Sequence, residues 1–376
     1  MIALERAQSP AIARKLVLGA LRDPCGVPVL PPTQVDLTLR LMRRARLLSR
    51  LAWRLRQAGL LEMQPPVVAD QLRSALVSAE ARVRAGQWEL NRLAWALDDV
   101  PGVSLVVMKG CAYVLAGTPN ACGRSFADVD LLVPEADLPA VEARLVDRGW
   151  TGKELTPYDE DYYRRWTHEL PPLEHIERGV EVDLHHTILM RTARLKPSPA
   201  LLFEAARAVP GSRFKVLAPV DMVLHAIVHL FQAGEMGDAL RDLVDIDDLL
   251  RHFGATETGF WKDFWPRAEA LDLTRPAYYG LRYANDILGT PVPESVRTAS
   301  CAGAPAPAVR RLMDRLVPQV LFPQHPDAPS RRKELADLML YVRSHWLRMP
   351  PFMLARHLAY KFYMRHLKSV SEPTEA

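Results

Sequence analysis

The chain has 376 residues, of which 49% are hydrophobic and 24% charged. This balance is typical of globular proteins and excludes a disordered or fibrous chain, and the length predicts two or three structural units. Because 48 Lys and Arg face 44 Asp and Glu, the formal net charge is only +4, which argues against a surface that is basic throughout. The 31 prolines exceed the usual share and predict short, interrupted helices.

The cysteines and the first residues indicate a cytoplasmic protein. The four cysteines have no C-x-x-C spacing, so neither a disulfide scaffold nor a structural zinc site is predicted. Glu5 and Arg6 interrupt the apolar run that a signal peptide needs, and no stretch of the chain reaches the length of a transmembrane helix.

Residues 1–100 are predicted to form a helical region, since leucines such as Leu37, Leu41, Leu48 and Leu55 recur at helical spacing. The segment 40–56 also carries seven arginines. These could line a groove for RNA or phosphate, but a solvated helix face paired with acidic residues is the favoured interpretation.

Residues 101–195 are predicted to form a β-rich core. The apolar run 103–108 indicates a buried strand that ends in a tight Lys-Gly turn, and 126–133 indicates a second strand. An amphipathic helix ends at Gly149, and the segments 172–177 and 180–189 are typical of a hairpin.

The rest of the chain is predicted to be helical. Residues 196–290 include a helical pair over 220–252, and residues 291–376 form proline-interrupted, basic helices. These last helices are amphipathic, so peripheral contact with a membrane is one reading of them. The fold class is therefore α+β, with a small mixed sheet flanked by N- and C-terminal helical regions.

Asp128 and Asp130 are the first candidate site residues. Side chains two apart on a strand lie on one face, about 6 to 7 Å apart along the chain. Two carboxylates placed in this way repel each other unless cations lie between them, and their spacing suits a pair of Mg²⁺ ions about 3.5 to 4 Å apart.

A third carboxylate is predicted from the strand that contains Val180–His185. The same alternation places Glu181, Asp183 and His185 on one face. Asp183 or Glu181 would complete a triad of carboxylates, whereas His185 is expected to support them by hydrogen bonding. The pair His225 and His229 invites a zinc interpretation, but without an acidic residue in an H-E-x-x-H pattern, packing or lining of a substrate pocket is favoured.

These motifs together resemble the nucleotidyltransferase superfamily of the DNA polymerase beta type, and more narrowly the bacterial family of uncharacterised nucleotidyltransferases. The resemblance covers about residues 80–255 and follows the order of four motifs: Met108-Lys109-Gly110, Arg124-Ser125, Asp128-Val129-Asp130-Leu131-Leu132-Val133 and Val182-Asp183-Leu184-His185. The helix Leu240–Asp247 resembles a downstream helix of the same family.

The resemblance implies transfer of a nucleoside monophosphate from an NTP, such as ATP, to an acceptor hydroxyl, with release of pyrophosphate. It implies two Mg²⁺ ions, or Mn²⁺, held by Asp128, Asp130 and Asp183, with Asp183 near the acceptor and Glu181 as the alternative third ligand. The implied nucleotide-binding residues are Lys109, Gly110, Arg124, Ser125, Arg241 and Asp245. Arg241 and Asp245 also stand four apart on one helix, where a surface ion pair is the ordinary interpretation.

The chain departs from the superfamily at one turn, where Gly110-Cys111 replaces the usual Gly-Gly or Gly-Ser. A thiol is a poorer donor to phosphate than a hydroxyl. The alternative function is therefore that of a catalytically inactive, nucleotide-binding regulatory module. The acceptor is open among a small molecule, a protein and an RNA end, and a tRNA-like acceptor is not favoured because the net charge is modest.

Overall fold

The computed structural model describes residues 10–124, 128–232 and 237–356. They form an α+β fold, as predicted, in which helices flank one seven-stranded mixed sheet. The proposed division of the chain at residues 100, 195 and 290 stays a prediction.

Four helices precede the sheet: α1 (Pro10–Arg22), α2 (Pro32–Arg44), α3 (Leu48–Gln57) and α4 (Pro66–Ala96). The expectation of short helices is wrong for α4, which has 31 residues. Proline occupies the first position of α1, α2 and α4, where its missing N–H would have no partner in any case and its fixed φ suits a helix. Many prolines therefore start helices rather than break them.

The sheet is built from β1 (Val106–Met108), β2 (Asp128–Leu132), β3 (Trp150–Gly152), β4 (Leu173–His175), β5 (Glu181–His185), β6 (Arg207–Ala208) and β7 (Lys215–Val216). Their order across the sheet is β3-β4-β5-β2-β1-β7-β6. The predicted hairpin is confirmed by the antiparallel pair of β4 and β5. Residues 207–216 were expected to be helical, but they add β6 and β7, because strands of two residues leave no periodic signal in a sequence.

Three short helices lie between the strands: α5 (Lys109–Leu115) after β1, α6 (Leu138–Asp147) after β2 and α7 (Pro157–Trp166) after β3. A further helix, α8 (Pro199–Ala205), precedes β6. Strands β1 and β2 are buried along almost their whole length, so the centre of the sheet belongs to the hydrophobic core.

The helices after the sheet are α9 (Pro219–Gln232), α10 (Ala239–Thr256), α11 (Phe260–Ala270), α12 (Thr274–Tyr283), α13 (Glu294–Ser300), α14 (Pro307–Leu321) and α15 (Arg331–Arg348). The predicted helical pair over 220–252 is confirmed as α9 and α10, which pack against each other. No described helix is both long and apolar enough to cross a membrane.

Helix α15 presents an apolar stripe to solvent. Leu335, Leu338, Val342 and Trp346 follow one face of the helix and are each about half exposed. This stripe supports the peripheral membrane contact expected of the C-terminal helices, which stays a prediction that sedimentation with anionic vesicles would test. Residues 357–376, the last part of that predicted region, lie outside the described residues.

Candidate active site

The parallel pairing of β2 and β5 brings the predicted carboxylates together. In the register of these strands Asp128 lies opposite Glu181 and Asp130 lies opposite Asp183. Since neighbours in register share a face of the sheet, the four acidic side chains form a two-by-two array. The alternation predicted from the sequence is therefore present in the fold.

Asp130 is the buried centre of this array and is only 1% exposed. Its Oδ1 accepts hydrogen bonds from Lys109 Nζ (2.5 Å) and His185 Nε2 (3.0 Å). Burial by itself would raise the pKa of the Asp130 carboxyl, but the charge of Lys109 and the hydrogen bond from His185 outweigh burial and hold this pKa well below its usual range. Asp130 is thus an anion at any physiological pH.

Lys109 reaches Asp130 because of the turn between β1 and α5. Its backbone has φ +48°, in the left-handed region that only a minority of non-glycine residues adopt. Burial acts against the charge of Lys109, but Asp130 outweighs burial and raises the pKa of the ammonium. The predicted tight turn thus places a permanent cation beside the carboxylates.

Asp183 has an unpartnered oxygen. Its Oδ1 is buried and accepts no hydrogen bond within the described part of the chain. Burial, together with repulsion from Asp130, raises the pKa of the Asp183 carboxyl to about 7. A buried carboxylate without a donor is costly, so this position suits a bound cation, and Asp130, Asp183 and His185 place ligand atoms within 4.8 Å of one another.

Glu181 is engaged elsewhere, because its carboxylate forms an ion pair with Lys153. Asp128 is only partly buried, and its backbone carbonyl lies 3.7 Å from Cys111 Sγ. Of the two candidates for the third metal ligand, the geometry favours Asp183 over Glu181.

Arg124 lies on the loop that enters β2. Its Nε donates to Asp245 Oδ2 (2.7 Å), and its guanidinium lies 5.3 Å from the centre of the Tyr113 ring. The preceding Gly123 has φ +71°, and a Cβ there would approach the Ser49 carbonyl oxygen to 2.7 Å. Only glycine therefore lets this loop pass α3 closely enough to bring Arg124 to the site.

Helix α10 carries Arg241 and Asp245, which lie next to Arg124. The ordinary interpretation of Arg241 and Asp245 as an ion pair is wrong, since Asp245 binds Arg124 whereas Arg241 binds Asp238 and Asp242, at 3.0 and 3.1 Å. Spacing along a helix could not reveal that the loop before β2 would compete for Asp245.

A cavity of about 290 Å³ opens beside these residues. Its lining includes nearly all of the predicted nucleotide-binding residues together with Asp128, namely Arg46, Lys109, Gly110, Tyr113, Arg124, Asp128, Ala226, His229, Asp238, Arg241, Asp242 and Asp245. Its volume is near the lower end for small-molecule sites. Ser125, the remaining predicted residue, lies outside the described residues.

Cys111 is not among the residues that line this cavity. Its thiol is buried against the carbonyl of Asp128, and burial raises the pKa of the thiol to about 12. The side chain that replaces the usual serine or glycine therefore packs between α5 and β2, and the cavity is lined by Lys109 and Gly110 instead.

Two residues near the site were missed by the sequence analysis. His168 and Glu169 precede β4, and Glu169 forms a bridge with His185 of β5. His185 contacts Glu169 as well as Asp130. The segment that contains them has neither a strand-like period nor a spaced motif, so only the fold reveals them.

Two other predicted features lie outside the carboxylate array. His229 Nδ1 lies 3.3 Å from Asp242 Oδ2, and neither His225 nor His229 belongs to a potential metal-ligand group among the described residues. In the arginine-rich segment, Arg40, Arg46, Arg50 and Arg56 each pair with an acidic residue. The favoured interpretation of that segment as a set of ion-paired arginines is therefore supported, although Arg50 is buried rather than solvated.

The mixed sheet carries carboxylates on two adjacent parallel strands, and the cavity beside them is lined by both basic and acidic side chains. Phosphoryl transfer uses carboxylates that hold metal ions and cations that hold phosphates. The chain belongs to the family described as "uncharacterised nucleotidyltransferase", which matches residues 31–289. The match begins well before residue 80, so α2 to α4 are part of the family's common unit.

Other similarities are weak. A crystal structure of an antigenic nucleotidyltransferase-like protein from Paracoccidioides brasiliensis aligns with 14% identity and a TM-score of 0.29, over 62% of this chain and 96% of that chain. No curated protein matches the sequence significantly.

Proposed function

We propose that the protein is a metal-dependent nucleotidyltransferase that moves a nucleoside monophosphate from an NTP to an acceptor hydroxyl. An oxygen–phosphorus bond forms at the α-phosphate, the bond to the β-phosphate breaks, the hydroxyl loses its proton, and pyrophosphate leaves. The observation that carries the proposal is the unpartnered, buried oxygen of Asp183 beside Asp130. A site for a cation explains why this costly carboxylate is kept.

Asp128, Asp130 and Asp183 would hold Mg²⁺ or Mn²⁺, since hard divalent cations prefer carboxylate oxygens. Bound Mg²⁺ would neutralise the triphosphate and lower the pKa of the acceptor hydroxyl. Lys109 and His185 both donate to Oδ1 of Asp130 and so fix the orientation of that carboxylate. Burial and repulsion from Asp130 raise the pKa of the Asp183 carboxyl, and a bound divalent cation would offset both effects and favour the carboxylate.

The cavity beside Asp128 would bind the nucleotide. Within the described residues only Nε of the Arg124 guanidinium is hydrogen-bonded, so its two Nη groups are free for phosphate oxygens, which guanidinium binds in a bidentate manner. Lys109 and the first backbone N–H groups of α5 at Gly110 would approach the same phosphates. Arg241 and Asp245 would shape the wall of the cavity, with Asp245 holding Arg124 in place.

Binding of the four NTPs, measured by calorimetry with and without Mg²⁺, tests the proposal. Wild type should bind at least one NTP in a metal-dependent manner, and the Asp128→Ala/Asp130→Ala double variant should lose that binding. A matched control is Asp36→Ala, which removes an exposed acid of α2 far along the chain from the array. A folded wild type that binds no NTP would contradict the proposal.

The alternative, an inactive nucleotide-binding module, is separated by turnover. If wild type binds NTP and Mg²⁺ but releases no pyrophosphate with small-molecule, protein or RNA acceptors, the site is regulatory. Cys111 does not line the cavity, so its side chain would not contact the phosphates. This weakens the argument for an inactive site that rests on the missing serine.

A further inference from the structure

Beside the carboxylate array lies a second group of potential ligands that the proposed reaction does not use. His168, Glu169 and His185 each place a ligand atom within 4.8 Å of the others. Glu169 Oε2 lies 3.5 Å from His168 Nε2 and 3.4 Å from His185 Nδ1. The carboxylate oxygen is thus flanked by two imidazole nitrogens.

These separations are too long for hydrogen bonds, whose N···O distance is about 2.7 to 3.2 Å. His185 Nδ1 is in fact buried without a hydrogen-bond partner among the described residues, and His185 is only 1% exposed. Ligands of a tetrahedral metal with bonds of about 2.1 Å are about 3.4 Å apart. The two distances from Glu169 Oε2 match this spacing, and the third pair, His168 with His185, places ligand atoms within 4.8 Å of each other.

The contacts of His185 agree with this interpretation. Its Nε2 donates to Asp130 Oδ1 at 3.0 Å, and its Nδ1, on the other side of the ring, lies toward Glu169 Oε2. A carboxylate behind the imidazole is also the usual support of a metal-bound histidine.

The backbone holds the three ligands in place. His186 N–H donates to the His168 carbonyl (2.9 Å), and Leu170 N–H donates to the Leu184 carbonyl (2.9 Å). The segment 168–170 is thereby fixed along β5 with the Glu169–His185 pair face to face. A rigid arrangement of this kind costs little entropy when a ligand binds.

We propose that His168, Glu169 and His185 form a binding site for a divalent metal of the zinc type, distinct from the Mg²⁺ site of the three aspartates. Two imidazoles and one carboxylate suit Zn²⁺, Co²⁺ or Fe²⁺ better than Mg²⁺. Such an ion ties the segment before β4 to β5 and, through His185, orients Asp130. The proposal concerns the metal alone and does not depend on nucleotide transfer.

The test is a titration of the chelator-treated full-length protein with Co²⁺, followed by the visible absorption of the bound ion, and competition with Zn²⁺. Wild type should bind one Co²⁺ with the intense bands of a low-symmetry four-coordinate ion. His168→Gln and Glu169→Gln should each weaken binding by at least about tenfold, and Asp130→Asn should weaken it by about 10- to 100-fold through His185.

Matched controls keep the result specific. His252→Gln and Glu160→Gln remove the same residue types outside the group and should leave Co²⁺ affinity within about twofold, the level expected for distant sites. Asp128→Asn should abolish Mg²⁺-dependent NTP binding while the Co²⁺ spectrum persists, so failure of one site is distinguished from failure of the other. Circular dichroism confirms that each variant is folded.

A folded wild type that shows no Co²⁺ bands, or Co²⁺ binding that is unchanged in both His168→Gln and Glu169→Gln, would overturn the proposal. Co²⁺ binding that disappears in Asp128→Asn would do so as well, because the ion would then belong to the aspartate array.

Discussion

Two aspartates, Asp183 in the sheet and Asp221 in the helical region, show how the proposed metal ligand differs from a carboxylate held in an ion pair. Asp221 of α9 is fully buried, and both of its oxygens accept hydrogen bonds of 2.7 Å from Arg267 of α11. Asp183 of β5 is partly buried, and one of its oxygens has no partner in the described structure. The two aspartates differ in whether a cationic partner is present. Asp221 has Arg267 and links two helices, whereas Asp183 has an oxygen that is available to a ligand.

Replacing Asp183 should have the largest effect on activity. Asp183→Asn removes the charge of a proposed metal ligand, and charge stabilisation by metals contributes several kcal/mol to such reactions, so turnover should fall by about 10³-fold or more. Pyrophosphate release under saturating Mg²⁺ is the measurement, once an acceptor is found. Asp221→Asn, if it folds, should keep most of the activity, and equal losses in both variants would erase the distinction between the two aspartates.

Breaking the structural pair should have the largest effect on stability. Arg267→Met leaves Asp221 buried without a partner, so the free energy of unfolding should fall by about 3–5 kcal/mol. Denaturant unfolding checks this value. A loss below about 1 kcal/mol would show that Asp221 is relieved by water or by protonation, and that the pair contributes little to holding α9 against α11.

Without metal, Asp183 should make stability depend on pH. Its folded pKa of about 7 exceeds the unfolded value near 4, so the cost of ionising it is absent below about pH 4, grows as pH rises, and is complete above about pH 7. The difference in unfolding free energy between Asp183→Asn and wild type should therefore grow by up to about 4 kcal/mol between pH 4 and 8 in chelator. A constant difference over this range would contradict the buried, unpartnered state of Asp183. Mg²⁺ should reduce the difference, since it replaces the proton.

An exposed pair should have the smallest effect and serves as the baseline. Arg56 and Glu80 are 2.8 Å apart, and each side chain is 47% exposed. Glu80→Gln should change the free energy of unfolding by less than about 1 kcal/mol, because solvent screens such pairs. A larger change would mean that ion pairs on the surface of this chain cannot be used as a neutral reference for Asp183 and Asp221.

The sequence predicts the parts of the site that depend on local pattern. Alternation along β2 and β5 predicts that Asp128, Asp130 and Asp183 share one face, and the register of the two strands agrees. The sequence also predicts the tight turn at Lys109, but the contact of Lys109 with Asp130 is seen only in the structure. The sequence does not show that β2 and β5 are neighbours. Their parallel pairing in the structure brings the two acidic strands together into one array.

Contacts between distant segments could not be predicted in this way. The choice of Arg124 over Arg241 as the partner of Asp245, and the approach of His168 and Glu169 to His185, depend on how loops fold over the sheet. The pairing of Glu181 with Lys153 likewise decides between two acidic residues that the pattern treats as equal. Periodicity predicts which face of an element a side chain occupies, but it does not predict which distant residue that side chain contacts.

Arg50 of α3 connects the N-terminal helices to the segments that form the candidate site, although these segments follow much later in the chain. Its guanidinium donates to the carbonyls of Pro119 and Cys122, at 2.8 and 3.2 Å, and to both oxygens of Asp248 on α10. Arg50 thereby connects three parts of the structure: the N-terminal helices, the loop that carries Arg124, and helix α10, which contains Asp245, the partner of Arg124. In a shortened chain beginning at residue 101, Asp248 would lose its Arg50 partner and the carbonyls of Pro119 and Cys122 would lose the hydrogen bonds that Arg50 donates. We therefore expect the sheet and α10 to be less stable without the N-terminal helices.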